Sequence, residues 1–346
     1  MKVAVTGSSG LIGTALVAAL RTDGHEVIRL VRTAPAAADA IAWDPHADRG
    51  GLDPRSLDGV AAVVHLAGAG LADRRWTPGY QAEVRDSRVR GTRALAGALA
   101  AMATPPRVLL SGSAIGWYGD TGGREVTESD PAGSGFLAEV VRDWEAAAGD
   151  AARAGIRVVT LRSGLVLSAK GGILGRLLPL FRLGLGGKLG SGRQMMSWVG
   201  MSDWVAAARF LLGRDGVTGP VNLTSPDPVS NAEFTTALAR AVRRPAVMIV
   251  PVPALKLAVG GVSSDILSSA RVLPQRLLAE GFGFQHAGIA GALAAELGPA
   301  GPGGRPPWNP PMAKGPVPSS RRLGPAGPGG QPPTPRWPKP KLRPVG

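Results

Sequence analysis

Residues 2–13 read KVAVTGSSGLIG, and this stretch decides the fold. Lys2–Thr6 has the apolar pattern of a buried strand, and three glycines follow it with GxxGxxG spacing. In such a strand–turn–helix unit, Gly7 permits the tight turn, Gly10 lets the backbone approach a pyrophosphate, and Gly13 lets helix and strand pack closely. The stretch therefore predicts a dinucleotide-binding turn, the alternative being an ordinary glycine-rich turn. The predicted contacts with the dinucleotide are Thr6, Gly7, Ser9, Gly10, Leu11, Ile12 and Gly13.

Strand and helix patterns alternate beyond this turn. Short apolar strands separated by longer helices are typical of a parallel sheet covered on both faces. The predicted fold is therefore α/β, a Rossmann-type doubly wound parallel sheet with a smaller C-terminal α/β lobe. The strand patterns occupy Lys2–Thr6, Glu26–Val31, Gly59–Leu66, Arg107–Ser111, Ile156–Leu161, Pro220–Leu223 and Val247–Val252. The helix patterns occupy Leu11–Arg21, Glu83–Ala101, Gly135–Ala154, Ile173–Leu183, Ser202–Leu212, Asn231–Ala241 and Leu267–Glu280, and a glycine-rich loop is predicted at Gly184–Gly192.

The predicted domains follow from where this pattern changes. Residues 1–165 form a dinucleotide-binding domain, and residues 166–297 form a substrate-side lobe interleaved with it, with a small C-terminal domain at about 248–297. Residues 298–346 form a tail in which 26 of 49 residues are Gly or Pro. Such a segment buries too little apolar surface to fold, so the tail is predicted to be disordered.

The charge is distributed unevenly along the chain. The formal net charge is +14 at pH 7, which is compatible with a nucleic-acid partner. The tail contains eight Lys or Arg residues and no Asp or Glu. More than half of the net positive charge therefore lies outside the predicted fold. We expect no nucleic-acid partner for the folded part. A contact of the tail with nucleic acid or an acidic surface, through charge alone, stays open.

Composition excludes several classes of site. The chain has no cysteine, which excludes disulfides, thiolate metal ligands and cysteine nucleophiles. The histidines lack metal-ligand spacing, so no metal site is predicted. There is no stretch of 18 uncharged apolar residues and no signal-peptide pattern, which predicts no membrane contact and a cytoplasmic location.

Arg32 bears on which dinucleotide is bound. An NAD enzyme usually has Asp or Glu near the end of the second strand, where it bonds the ribose 2′-hydroxyl. Here that strand ends in Leu30-Val31-Arg32. A guanidinium would attract a 2′-phosphate through a charge-assisted pair. The sequence thus favours NADP(H) over NAD(H), and a solvated surface arginine is the alternative.

Several motifs together resemble the extended short-chain dehydrogenase/reductase superfamily. The match is closer to its atypical branch, the epimerase-family proteins of the NAD-dependent epimerase/dehydratase type with a small C-terminal domain. The motifs are GSSGLIG (7–13), LAGAG (66–70), RVRGT (88–92), SGSAIGWYG (111–119), GFLAE (135–139) with Trp144-Glu145, GSGRQ (190–194), and RVLP (271–274) followed by Gly281-Phe282. The resemblance covers about residues 1–297.

The resemblance implies a Rossmann fold, NADP(H) binding and a substrate pocket between the two lobes. It places Leu66, Ala67 and Gly68 along the adenosine-ribose side of the cofactor. The alternative for these residues is a strand end with small side chains and no ligand contact.

The superfamily moves protons with a Ser and a Tyr-x-x-x-Lys pair. The Lys and the nicotinamide charge lower the pKa of that Tyr, so that a phenolate can take a proton while hydride moves. Ser113 matches the Ser, which orients the substrate oxygen, unless it only caps a turn. The Tyr and Lys positions hold Leu137 and Val141, and neither side chain can transfer a proton.

Two further residues are candidates for the chemistry. Arg88 stands where the superfamily usually has Asn, and it is either a fixed positive charge near the site or a salt-bridge partner of Asp86 or Glu83. Tyr118 follows Ser113 on the same loop and is either an acid/base or an aromatic packing residue. The predicted catalytic residues are therefore Ser113, Tyr118 and Arg88.

The predicted substrate contacts lie in the segment GSGRQMMSW, residues 190–198. Arg193 and Gln194 suit hydroxyl, carboxylate or phosphate groups, and Trp198 suits stacking on a ring. A surface loop whose Trp packs on the lobe is the alternative. The branch usually continues with a His and two acids, of which only Asp203 is present here.

Two functions remain after these observations. The first is an NADP(H)-dependent oxidoreductase or epimerase that acts on a carbonyl or hydroxyl compound and uses Ser113 with a non-standard proton carrier. The second is a catalytically silent NADP(H)-binding protein that reports redox state to a partner. Loss of both the Tyr and the Lys favours the second, and the glycine turn is compatible with either.

Overall fold

A computed structural model describes residues 1–33, 37–47, 51–71, 73–251 and 268–298. The predicted disordered tail, apart from Gly298, and residues 252–267 lie outside the described residues. The strands are β1 (Lys2–Thr6), β2 (Glu26–Val31), β3 (Ala40–Ala42), β4 (Ala62–His65), β5 (Val108–Ala114), β6 (Glu125–Val126), β7 (Arg157–Ser163), β8 (Leu165–Leu167), β9 (Gly187–Leu189), β10 (Met195–Met196), β11 (Trp198–Gly200), β12 (Gly219–Leu223), β13 (Val229–Ser230), β14 (Met248–Val250) and β15 (Arg271–Val272). The α-helices are α1 (Leu11–Thr22), α2 (Pro78–Ala100), α3 (Phe136–Ala146), α4 (Gly149–Arg153), α5 (Gly172–Arg182), α6 (Met201–Leu212), α7 (Asn231–Val242), α8 (Gln275–Ala279) and α9 (Ile289–Leu297). No helix in these ranges combines the length and the apolarity that a membrane span needs.

The main sheet has seven strands in the order β12-β7-β5-β4-β1-β2-β3, and all neighbouring strands run parallel. The predicted doubly wound parallel sheet is thereby confirmed. The order reverses at β1 because the chain winds outward to β3 and then returns to β4. Ligands of such sheets bind outside the carboxyl ends of the strands at this switch point. The glycine turn follows β1 and therefore lies at that point.

Both faces of the sheet are buried, which explains the apolar strands. Val3 and Val5 of β1 pack with α1 and α6 in one core, whereas Ala4 faces a second core with α2 and α4. Successive strand side chains point to opposite faces, so a strand covered on both sides is apolar at every position.

The C-terminal lobe is built from short two-stranded sheets and three helices. β8 pairs with β11 and β9 with β14 in parallel, and β10 pairs with β13 antiparallel. Helices α5, α7 and α9 bury a core that includes Leu174, Phe181, Trp198 and Phe234. α7 begins with a capping box between Ser230 and Glu233, so Ser230 is the N-cap.

Three sequence-based elements differ from the structure. Over its described part, the predicted helix Leu267–Glu280 is helical only in α8 and contains β15 before it, because Pro274 lacks an N–H group, disfavours a continuous helix and forms the N-cap of α8. The predicted helix Gly135–Ala154 is divided into α3 and α4, with the weak helix former Gly149 at the start of the second. The predicted loop Gly184–Gly192 contains β9, whose partner β14 is distant in sequence.

Candidate functional site

The glycine turn after β1 packs directly against the end of β4. Gly7 has a φ of +64°, and a Cβ atom there would lie 2.7 Å from the carbonyl carbon of Leu66. A Cβ atom on Gly13 would overlap the carbonyl oxygen of Gly7 and lie 2.9 Å from the Cα atom of Ser8. Any larger residue would therefore force the turn to shift.

The N-terminus of α1 has no side-chain cap. Gly10 is the N-cap residue and offers no side-chain hydrogen bond to the first turn, and that turn contains no acidic residue. The free N–H groups and the helix dipole favour an anion at this end. Ser9 and Gly10 are exposed, and Leu11 and Ile12 are half-buried. The predicted dinucleotide contacts of the turn therefore lie together at the switch point of the sheet.

The hydroxyl of Thr6 holds the end of β4 in place. Its Oγ1 atom accepts hydrogen bonds from the backbone N–H groups of Leu66 (3.0 Å) and Ala67 (3.1 Å). Because those bonds occupy its lone pairs, Thr6 donates its proton to Nδ1 of His65 at 2.7 Å. Nε2 of His65 then donates to Oγ1 of Thr92 at 3.0 Å. Sequence reasoning missed this role of His65. Within the described ranges, no group of three His, Asp or Glu side chains could hold a metal ion.

We expect the free energy of unfolding to decrease in mild acid because His65 is buried in its neutral form. Burial lowers the pKa of His65 from 6.5 to about 4. The unfolded chain binds this proton below about pH 6.5, whereas the folded protein binds it only near pH 4. Stability is therefore lost as the pH falls between these values, by about 3 kcal/mol in total. Urea unfolding from about pH 7 to about pH 4.5 measures the decrease. The variant His65→Gln should show a shallower decrease, and an equal decrease in both proteins would contradict the prediction.

Arg32 is exposed immediately after β2, at the carboxyl end of that strand. It has no acidic partner among the described residues, whereas Arg29, earlier on the same strand, pairs with Asp39 at 2.7 Å. That hydrogen bond from Arg29, with the charges of Arg29 and Arg21, lowers the pKa of Asp39. Of the arginines on or beside β2, Arg32 is therefore the one available to an external anion.

Ser113 is held by a buried ion pair at the carboxyl end of β5. Its hydroxyl donates to Oε1 of Glu145 at 2.6 Å. Arg162 binds the same carboxylate twice, through Nε to Oε1 at 2.8 Å and through Nη2 to Oε2 at 2.9 Å. The Arg162 side chain is 3% exposed and its Cζ atom lies 3.9 Å from the ring centroid of Trp117. Burial opposes the charge of Arg162, but the hydrogen bonds and charge of Glu145 outweigh it and raise the pKa of the guanidinium.

Sequence reasoning missed Glu145 and Arg162 as site residues. Glu145 appeared only as part of the Trp144-Glu145 motif, and Arg162 follows the predicted strand Ile156–Leu161, whereas the observed strand β7 extends to Ser163. No local sequence signal brings these residues together, because Ser113 of β5 is paired with Arg162 of β7 only through the register of the sheet. A charged residue inside a buried strand requires a partner, and Glu145 supplies it.

Tyr118 lies in the interior and belongs to the same network. Its hydroxyl donates to Oδ1 of Asn222 at 2.8 Å and accepts from Nη1 of Arg162 at 3.1 Å. Burial raises the pKa of Tyr118 to about 12, although Arg162 opposes the shift. The phenol therefore stays protonated at neutral pH, and the geometry favours the packing alternative over the acid/base role.

The positions of the missing Tyr and Lys are apolar in space as well as in sequence. Leu137 and Val141 lie on α3 beside the single-turn 3₁₀ helix Ile115–Tyr118. A Cβ atom on Gly116 would lie 3.3 Å from Cβ of Leu137 and 3.7 Å from Cγ2 of Val141. Leu137 and Val141 therefore pack against Gly116, and neither side chain can transfer a proton.

Arg88 lies beneath the loop that follows β4. Its Nη1 atom donates to the carbonyl oxygens of Ala69 (2.9 Å) and Val84 (3.1 Å), and its Cζ atom is 5.1 Å from the ring centroid of Trp144. No carboxylate lies within 4.0 Å of it among the described residues, so the predicted alternative of a salt bridge to a helix neighbour is wrong. Burial lowers the pKa of Arg88 to about 10, which still leaves it charged at neutral pH. Gly68 lies directly above this side chain.

The predicted substrate residues separate in the structure. Arg193 is exposed, and Nε2 of Gln194 donates to the carbonyl oxygen of Leu189 at 3.2 Å. Trp198 is fully buried in the lobe and its Nε1 atom donates to the carbonyl oxygen of Asp227 at 3.0 Å. A ring cannot stack on this indole, so the geometry favours the packing alternative for Trp198.

Asp203 forms hydrogen bonds that join two segments of the fold. Its carboxylate is 1% exposed and lies in the first turn of α6. It accepts hydrogen bonds from the backbone N–H groups of Gln285 (2.7 Å) and His286 (3.0 Å). These bonds tie α6 to the segment before α9.

Comparison with protein-family models shows the family to which this chain belongs. The model of the NAD dependent epimerase/dehydratase family matches residues 3–223. The chain belongs to this family. A second model, a domain of unknown function called DUF1731, matches residues 250–296.

Relatives in the epimerase/dehydratase family cover nearly the same residues. The epimerase family protein MT2273 of Mycobacterium tuberculosis is 47% identical over 292 residues, which is 84% of this chain and 96% of that protein. The structure of the human epimerase family protein SDR39U1 (isoform2) with NADPH has a TM-score of 0.77 and 34% identity, over 85% of this chain and 98% of that chain. A nucleoside-diphosphate sugar epimerase from Corynebacterium glutamicum has a TM-score of 0.72 and 37% identity, over 86% of this chain and 58% of that chain.

These matches confirm the predicted resemblance to the atypical branch of the short-chain dehydrogenases/reductases. They also establish the Rossmann-type fold as an NAD(P)-binding one.

Proposed function

We propose that this chain is an NADP(H)-dependent oxidoreductase or epimerase that acts on a carbonyl or hydroxyl compound. The observation that carries the proposal is the uncapped N-terminus of α1 behind a glycine turn too tight for any side chain at Gly13. A pyrophosphate fits such a turn because it needs both free N–H groups and close backbone approach. The NADPH in the structure of human SDR39U1 supports the same cofactor here. The cytoplasmic location stays a prediction.

The residues of the turn would hold the pyrophosphate through backbone N–H groups. Leu66, Ala67 and Gly68 would border the cofactor from the adjacent strand end, where the hydroxyl of Thr6 already fixes the first two. Arg32 would bind the ribose 2′-phosphate. When bound, the nicotinamide supplies hydride transfer to or from a carbon of the substrate.

Ser113 would orient the substrate oxygen. Its own proton is directed to Glu145, so the Ser113 oxygen presents lone pairs to a substrate. An oxygen with free lone pairs accepts from a hydroxyl group, which favours the alcohol form of the substrate in the ground-state complex. Glu145 and Arg162 are positioning residues in this proposal because they act through Ser113.

Arg32 tests the preference for NADP(H). We expect Arg32→Ala to raise the Kd for NADPH about 10- to 100-fold, because a charge-assisted pair with the 2′-phosphate is lost, and to leave the Kd for NADH within about twofold. Fluorescence titration of NADPH and NADH measures both values. Arg55→Ala removes an exposed arginine from the 3₁₀ helix Pro54–Leu57, which precedes β4, and should change neither Kd. Equal losses for NADPH and NADH would contradict the assignment of Arg32.

Turnover tests the enzymatic part of the proposal. With NADPH the protein should reduce, or with NADP⁺ it should oxidise, at least one member of a broad panel of sugars and ketones, followed as the fall or rise of NADPH absorbance. Ser113→Ala should abolish that turnover and leave the Kd for NADPH unchanged. Failure of every panel member with normal NADPH binding would overturn the oxidoreductase proposal.

A catalytically silent NADP(H)-binding protein is the second candidate. The observation that favours it is the apolar packing of Leu137 and Val141 against Gly116, which leaves no proton carrier at the usual position. Its expected result is tight NADPH binding without any turnover that depends on Ser113. Detection of Ser113-dependent NADPH oxidation would overturn it.

A further inference from the structure

Arg88 is a half-buried cation, and no carboxylate lies within 4.0 Å of it among the described residues. Its guanidinium hydrogen bonds use one nitrogen, Nη1, and both acceptors are neutral carbonyl oxygens. Arg162 and Arg157 are largely buried, and each has a carboxylate within 4.0 Å. A charge that is withdrawn from water without a partner destabilises the fold. A guanidinium without a carboxylate partner in the protein therefore favours the binding of an anionic ligand.

A second unused donor lies next to this cation. Trp144 is 8% exposed, and its Nε1 atom has no hydrogen-bond partner among the described residues. The Arg88 guanidinium lies 5.1 Å from the centroid of the same ring. Buried indole N–H groups normally find an acceptor, so the free donor is an independent sign of a missing polar ligand.

Glycines of two strand ends approach these side chains. A Cβ atom on Gly68, after β4, would lie 3.4 Å from Cγ of Arg88, and one on Gly112, in β5, would lie 2.9 Å from Cζ2 of Trp144. Arg88 and Trp144 are thus next to the carboxyl ends of β4 and β5, one strand along from the glycine turn. Ser113, directly after Gly112, belongs to the same edge.

We propose that Arg88 and the indole N–H of Trp144 form a subsite for an oxyanion of the substrate, a carboxylate or a phosphate. This inference rests on the proposed function, in which Ser113 receives the substrate oxygen. A guanidinium donates to two oxygens of such a group in one plane, and the indole donates to one. The substrate class is therefore a hydroxy or keto compound that carries an acidic group.

The test uses inorganic phosphate and oxalate as probes of the NADPH-saturated protein. Calorimetric titration at an ionic strength held constant with NaCl should give saturable binding of at least one probe. Arg88→Met should weaken that binding about tenfold or more, and Trp144→Phe, which keeps the ring and removes the N–H, should weaken it about three- to tenfold. The Kd for NADPH should change less than about threefold in both variants.

Two further variants keep the test decisive. Arg88→Lys retains the charge but lacks the planar pair of donors. It should fold even if Arg88→Met does not, and it should bind the anion, although more weakly than the wild type does. Arg85→Met alters an exposed arginine of the same helix, paired with Asp143, and should leave anion binding unchanged.

Three outcomes would overturn the subsite. They are the absence of saturable anion binding in the wild type, equal binding by Arg88→Met and Arg88→Lys, and anion binding that occurs only without NADPH, which would make the cofactor's own phosphate the occupant. If the wild type does not bind NADPH, the proposed function is overturned instead. In that case the anion titration is repeated without dinucleotide, so that failure of the subsite and failure of the proposed function can be distinguished.

Discussion

Arg162→Met should lower the free energy of unfolding by about 3–5 kcal/mol, because it leaves the carboxylate of Glu145 buried without its partner. The Arg162 side chain is 3% exposed and that of Glu145 is 13% exposed, so water compensates little. The hydroxyl of Tyr118 would also lose the hydrogen bond that it accepts from Arg162. Urea unfolding at neutral pH measures the loss.

A double-mutant cycle separates the charge effect from packing. Arg162→Met combined with Glu145→Leu removes both charges, so its loss of stability should be clearly smaller than the sum of the two single losses. The matched control is Arg209→Met, which breaks the exposed ion pair with Asp23 and should cost no more than about 1 kcal/mol. If Arg162→Met is as stable as Arg209→Met, the ion pair does not stabilise the fold.

Gly13→Ala should raise the Kd for NADPH about 100-fold or more. Its new Cβ atom would overlap the carbonyl oxygen of Gly7, so the turn must move and the N–H groups that would receive the pyrophosphate lose their arrangement. The same overlap should lower the free energy of unfolding by about 1–3 kcal/mol. NADPH fluorescence titration and urea unfolding measure the two effects.

Gly97→Ala is the matched control for this variant. Gly97 lies inside α2, and a Cβ atom there meets nothing within 4 Å. Alanine is the better helix former, so this change should raise stability by about 0.5–1 kcal/mol and leave the Kd for NADPH unchanged. Normal NADPH binding by Gly13→Ala would contradict the assignment of the turn.

The sequence predicts the nucleotide-side half of this fold well because its signals are local. β1 and β2 have the predicted bounds, and α1 extends only one residue further than predicted. Strand alternation with long helices, and a glycine turn at residue 7, are properties of contiguous residues. The switch point then follows from the topology that these elements impose.

The catalytic half is less predictable because its contacts join distant residues. Ser113, Glu145 and Arg162 meet only through the pairing of β5 with β7 and the packing of α3 on the sheet. No local pattern reports that register. The burial of Trp198 is likewise not predictable from local sequence. A Trp in a glycine-rich segment can face either a ligand or the core of the lobe, and the surrounding residues do not distinguish the two.

Strand β12 has a consequence for biosynthesis. It is the outer strand of the main sheet, yet it follows α5 and α6 in the chain. A nascent chain that has emerged only as far as β7 therefore carries an open sheet edge, with unpaired backbone groups that invite pairing with other chains. The carboxylate of Asp203 also lacks its hydrogen-bond donors until Gln285 and His286 have been synthesised. The main sheet therefore stays incomplete until Leu223 has been synthesised, and the pair of hydrogen bonds to Asp203 stays incomplete until His286 has been.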